Sequence, residues 1–176
     1  MFDCKFDEES GVLTIDDGVV ELDKHMLEGI DINQIRKVVM SNSVERVKAH
    51  ALEKCANLEE IVFSENLETI EEDNFWDCLK LKEVKFPSSL KSVLARSFEG
   101  CKNLEKVVLN EGLELIGNYA FEYCESLTAI DFPDSLLSIQ EGAFYNAKIA
   151  NVVLPKNLKE FGDLVFKDSL KNIKVD

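Results

Sequence analysis

Two histidines, His25 and His50, one tryptophan and three prolines are all that 176 residues supply of those types. Neither histidine stands at a recognisable spacing from a Ser or Cys and a carboxylate, so nucleophilic catalysis finds no starting point. G-x-x-x-x-G-K-[ST] and G-x-G-x-x-G are both missing, which removes the usual phosphate-cradling loops. No window approaches the ~18 consecutive apolar residues of a membrane helix. Positive charge is scarce as well: 20 basic against 34 acidic side chains, a formal net charge of −14. A phosphate backbone or an anionic bilayer attracts Lys and Arg, so nonspecific binding to nucleic acid or membranes is disfavoured. These absences argue against an enzyme and against a cofactor, and for a function carried by a surface.

What is present is a core and a period. Hydrophobic residues make up 45 % of the chain, enough for a packed interior. Four cysteines, Cys55, Cys78, Cys101 and Cys124, recur every 23 residues, with Ala147 in the next place. Leu52, Phe75, Phe98, Phe121 and Phe144 each precede that column by three. After it comes an L-x-x-I-x-F run: LEEIVF at 58–63, LKEVKF at 81–86, LEKVVL at 104–109 and LTAIDF at 127–132. IRKVVM at 35–40 opens the series, and IANVVL at 149–154 and LKNIKV at 170–175 continue it. A shorter L-x-x-I pattern lies between the runs, as in LETI at 67–70 and LELI at 113–116.

Alternation within each run predicts strands. Pro87, Pro133 and Pro155 directly follow runs, where a residue without an N–H ends the pairing. Segments such as ARSFEGC suit a short helical turn. One coil alone cannot bury its apolar columns; stacked coils bury them as continuous ladders.

The stretch from Phe132 to Ala147, close to F-P-x-S-L-x-x-I-x-x-x-A-F-x-x-C, resembles the BspA-like (Treponema-type) leucine-rich repeats. The resemblance covers about residues 35–175. It implies an α/β fold: a right-handed leucine-rich-repeat solenoid of short parallel strands and short helical turns. It further implies a surface or secreted protein with a role in adhesion or protein binding. Asp73-Asn74 replaces the small residue before Phe75, Ser97 stands before Phe98, and the last coils lose the Cys; these departures are expected to loosen local packing without changing the fold.

The expected organisation is an N-terminal cap over 1–34 and a solenoid over 35–176, of about six 23-residue coils plus a final strand. In the cap, Phe6, Val12, Leu13 and Ile15 flank DEES-Gly11 as a β-hairpin, with a short helix or loop over 20–34. At the other end three readings stay open: an exposed edge, a longer array, or a homodimer through that edge. Lys171 and Lys174 are placed to deter edge pairing. Met1 is followed by FDCKFDEES, which is no signal peptide; as written the chain reads as cytoplasmic. A leader trimmed from the parent would make it secreted or cell-surface.

The cysteine column invites a disulfide or Zn²⁺ reading, because stacked coils bring its members to about 5 Å. It has no histidine beside it and is interchangeable with Ala147, so a small buried residue is the simpler reading, and no metal site is expected. The carboxylates between Glu65 and Asp77 lack a spaced loop pattern for a cation and read as a solvated rim. Cys4 lies off the column, and nothing in the sequence decides its state.

The candidate binding surface is the outward side of the L-x-x-I-x-F strands. One column holds Lys37, Glu60, Glu83, Lys106, Ala129, Asn151 and Asn172. The other holds Val39, Val62, Lys85, Val108, Asp131, Val153 and Lys174. Tyr119, Tyr123, Tyr145 and Trp76 form a second candidate surface by the turns. The leading expectation is a non-enzymatic protein-binding module, adhesin-like or scaffold. An acidic decoy for a nucleic-acid-binding enzyme and a glycan-binding surface domain are the alternatives. The charge is banded: residues 1–31 hold 10 acidic and 2 basic side chains, and no Lys or Arg occurs between Lys54 and Lys80 or between Lys106 and Lys148. A protein partner with basic patches facing the acidic bands is expected.

Overall fold

The 23-residue period becomes a stack of coils in which each residue column runs through the molecule as a ladder. The computed structural model describes residues 3–169 and 172–175. An antiparallel hairpin, β1 (Cys4–Asp7) with β2 (Val12–Ile15), opens the chain, and β3 (Glu21–Leu22) follows. Each later coil contributes a longer and a shorter strand. These are β4 (Lys37–Met40) and β5 (Arg46–Val47), β6 (Glu60–Val62) and β7 (Thr69–Ile70), β8 (Glu83–Lys85) and β9 (Ser92–Val93). Then come β10 (Lys106–Val108) and β11 (Leu115–Ile116), β12 (Ser138–Ile139) alone, β13 (Asn151–Leu154) and β14 (Glu160–Phe161), and finally β15 (Asn172–Val175).

The short strands form one seven-stranded sheet from β3 to β14, every step in parallel register. The longer strands do not. They divide into β1-β2-β4-β6, β8-β10 and β13-β15. LTAIDF at 127–132, expected as a strand, enters no ladder. Its outward residues are Ala129 and Asp131, both poor strand formers. The hairpin forms as expected, and β2 pairs in parallel with β4, Leu13 beside Val38, so stacking begins within the first 34 residues.

Among the described residues there is no α-helix. Residues 20–34 contain β3 and two 3-10 turns, Lys24–Leu27 and Ile32–Gln34, whose caps Asp23 and Asp31 accept hydrogen bonds from the N–H of His25 and Asn33. The short helical turns of the repeat take the form of a turn ladder. From the second turn onward, N–H groups two residues apart donate to carbonyls of the next coil, as from Asp73, Phe75 and Asp77 to Ala95, Ser97 and Glu99; in the first, His50 and Lys54 donate to Glu72 and Trp76. Two residues per coil, four apart, have left-handed backbone: His50 and Lys54, Asp73 and Asp77, Arg96 and Gly100, Tyr119 and Tyr123, Gly142 and Asn146, Leu164 and Asp168. This conformation is uncommon for side-chain-bearing residues and persists where the surroundings over-determine it. Gly142 is needed twice over, since a Cβ there would collide with the Tyr119 ring.

The core lies between the two strand faces and the turn ladder. Phe75, Phe98, Phe121, Phe144 and Phe166 stack in a column with centroids 4.9–5.4 Å apart and interplanar angles of 17° or less. That spacing matches the rise per coil, and each stacked pair adds about 0.5–1.5 kcal/mol beyond burial. Phe63 and Phe132 meet the column edge-on. Cys55, Cys78, Cys101 and Cys124 are buried free thiols, and the last three donate to the carbonyls of Leu52, Phe75 and Phe98. Burial pushes the Cys55 thiol up to about 12 and raises the others.

Asn74 and Ser97 do not loosen the packing. Both are fully buried. Asn74 accepts from the Ala51 N–H and donates to Val47 and Glu71 carbonyls, while Ser97 donates to Leu94 and Glu71 carbonyls. Every polar atom they bring inside has a partner, which removes the cost of burying it. At the far end Phe161 and Ile173, members of core columns, are 45 % and 50 % exposed. Lys174 is exposed there; Lys171 lies outside the described residues.

Candidate functional site

The longer strands carry alternating residues, so every second side chain faces away from the core. Lys37, Val39 and Val108 are half-buried on this face. Glu60, Val62, Glu83, Lys85, Lys106, Ala129, Asp131, Asn151, Val153 and Lys174 are exposed. Val62 and Val153 stand 41 % and 45 % open. The structure brings the candidates into register in three groups: Lys37 and Val39 with Glu60 and Val62, Glu83 and Lys85 with Lys106 and Val108, and β13 with β15.

The joins between the groups have a physical cause. Within them, opposite charges sit side by side: Lys37 Nζ lies 2.8 Å from Glu60 Oε1, and Lys106 Nζ 2.7 Å from Glu83 Oε1. Continuing the ladder would set Glu60 directly against Glu83, and like charges on neighbouring strands oppose pairing. Glu59 and Glu60 donate N–H bonds to the Arg36 carbonyl, and Glu105 and Lys106 to that of Lys82. The equivalent bonds from Lys82 and Glu83 to Glu59 do not form. A cleft of about 830 Å³ opens at this join, lined by Glu59, Glu60, Ile61, Lys80, Lys82, Glu83, Lys85 and Asn103. A second cleft, about 680 Å³, lies between β10 and the LTAIDF run and includes Lys106, Val108, Ala129 and Asp131.

The aromatic residues of the second candidate surface lie along the turn ladder. Lys54 Nζ sits 4.7 Å from the Trp76 ring centroid, and Lys167 Nζ 5.6 Å from that of Tyr145. Tyr123 meets Tyr145 edge-on at 6.0 Å, and Tyr119 donates to Glu141 at 2.6 Å. Sequence reasoning missed the ionisation of Glu99 beside them. Burial first, then the Glu122 carboxylate, with Asp73 and Asp77 adding and Arg96 opposing, pushes Glu99 up to about 7. The stacking of Glu99 on Glu122, one period apart, is the signal that could have found it. The His25 and His50 rings hydrogen-bond to glutamates of their own turns, Glu28 and Glu53, and His50 Nε2 lies 4.0 Å from Asp73 Oδ2. Among the described residues no three His, Cys, Asp or Glu side chains gather as metal ligands.

A family model for the BspA type leucine rich repeat region matches six copies, over residues 9–105 and 94–176. The chain belongs to that family. A leucine rich repeat protein of T. pallidum superposes with a TM-score of 0.78 at 25 % identity, over 94 % of this chain and 85 % of that one. A leucine rich cell surface protein of Faecalibacterium prausnitzii gives 0.77 at 19 %, over 98 % of this chain and 52 % of that one. The pneumococcal vaccine antigen PcpA gives 0.53 at 22 %, over 81 % and 51 %. No curated protein matches in sequence. Solenoids of the BspA type are generally interaction modules rather than enzymes.

Proposed function

We propose that the chain is a non-enzymatic protein-binding module that works by presenting the outward face of its longer strands to a partner. The observation that carries this is the pair of valines, Val62 and Val153, held well open to solvent on a face whose other exposed residues are mostly charged. The scaffold behind them is fixed by the phenylalanine column and the continuous short-strand sheet. A surface ordered before binding loses little conformational entropy on association, so modest apolar area suffices. Family membership supports the role in its adhesin-like or scaffold form. The test is partner capture by Val62→Glu and Val153→Glu proteins, with thermal unfolding to show that both fold. At least a tenfold loss of affinity is expected for one or both. Wild-type affinity in both would remove this face as the binding surface.

A further inference from the structure

We infer that the cleft at the join between β6 and β8 takes an extended, carboxylate-rich segment of a protein partner. This rests on the reading of the strand face as the binding surface and names the chemistry it selects. Lys80, Lys82 and Lys85 line the cleft. All three are exposed, and none makes an ion pair among the described residues. The acids that would neutralise them are engaged elsewhere: Glu60 is held by Lys37 and Glu83 by Lys106. Only Glu59 is left; counting Lys37 and Lys106 with the acids they hold, five basic and three acidic side chains surround the cleft, in a protein of net charge −14.

The second observation is independent of side-chain charge. Because the ladder stops here, the N–H groups of Lys82 and Glu83 lack the carbonyl that their counterparts in the neighbouring coils use. Unpaired main-chain donors beside unpaired ammonium groups form an acceptor-seeking strip. A carboxylate oxygen satisfies both, and such charge-assisted bonds are roughly twice as strong as neutral ones.

The interleaved glutamates select among anions. A polyanion charged at every unit, such as a sulfated glycan or RNA, would set its charges against Glu59 and against the acidic bands on either side. A peptide with carboxylates separated by neutral residues meets the lysines and passes the glutamates.

The probe is a ten-residue peptide of alternating glutamate and serine, titrated at low ionic strength into ¹⁵N-labelled full chain. Saturable shifts centred on the amides of Lys82 and Glu83 are expected. Affinity should fall at least tenfold in the Lys82→Gln, Lys85→Gln double variant and stay unchanged in Lys159→Gln, an exposed lysine off this face. The inference fails if the glutamine–serine peptide binds equally well. It also fails if shifts spread evenly over all lysines, or if no saturable binding is seen. Binding of a heparin hexasaccharide in the cleft without binding of the peptide would replace the acidic segment by a polyanion. If Val62→Glu still blocks partner capture while the peptide fails, the cleft assignment falls and the strand-face reading stands.

Discussion

The two strand faces share one period, one core and one set of turns, yet one forms an unbroken sheet and the other is divided in three. The outward neighbours explain the difference. Along the short strands they run Glu21, Arg46, Thr69, Ser92, Leu115, Ser138, Glu160. Arg46 bridges to Glu21 at 3.1 Å and Ser138 donates to Glu160 at 2.7 Å, and nowhere do two like charges meet. Along the longer strands the ladder stops where Glu60 would face Glu83. Period alone stacks the coils; the outward side chains decide whether neighbouring backbones close into a ladder.

The largest contrast lies in the core behind the two faces. Ile70 of β7 is fully buried and Ile61 of β6, in the same coil, is only half-buried. Ile70→Ala should cost about 2–5 kcal/mol, and Ile61→Ala less than half as much. Urea unfolding midpoints check this, and equal losses would mean that the join is no weaker than the sheet.

A reciprocal exchange is the next test. Thr69→Glu with Ser92→Glu sets two carboxylates face to face across β7 and β9, in the continuous sheet. It should cost about 1 kcal/mol and speed amide exchange in both strands. Glu83→Thr removes the clash at the join and should slow exchange of the Lys82 amide. No change in either direction would show that charge does not set the ladder.

The smallest effect is on the third side. Glu99 rises from an ordinary 4.5 to about 7, so the folded state holds its proton more tightly than the unfolded chain does. Its favourable share is therefore present in acid and lost as pH climbs from about 4.5 to about 7. Glu99→Gln should match the parent in melting temperature near pH 4 and exceed it near pH 8. Identical melting temperatures at the higher pH would show that solvent screens the carboxyl.

Much of this architecture was legible in the residues. The columns of Leu52, Phe75, Phe98 and their successors place the core, and the interchange of cysteine with Ala147 marks a small buried position. The division of the longer face was not read from the period, which treats every coil alike, although Glu60 and Glu83 stand next to each other in one column. The turn ladder was also missed, because A-F-x-x-C suits a helical turn. The signal lay in the residues that tolerate left-handed backbone, Asp73 and Asp77, Gly142 and Asn146, four apart in successive coils. For the site, alternation identified the outward residues. The cleft depends on a backbone gap and could not be found from alternation.

The turn ladder has a further consequence. Each of its bonds runs from an N–H in one coil to a carbonyl in the next, always in the same sense. Across the strands successive peptide dipoles point opposite ways and cancel, whereas here they add along the stack as they do in a helix. This flank of the solenoid therefore carries a lasting field, negative towards the hairpin and positive at the far end. Residues 1–31, with 10 acidic and 2 basic side chains, sit at the negative end. Charge placed to support the ladder would have the opposite sign. The acidity of the hairpin end opposes the fold's own field, by roughly 0.3–1 kcal/mol for a charge close to the ladder terminus.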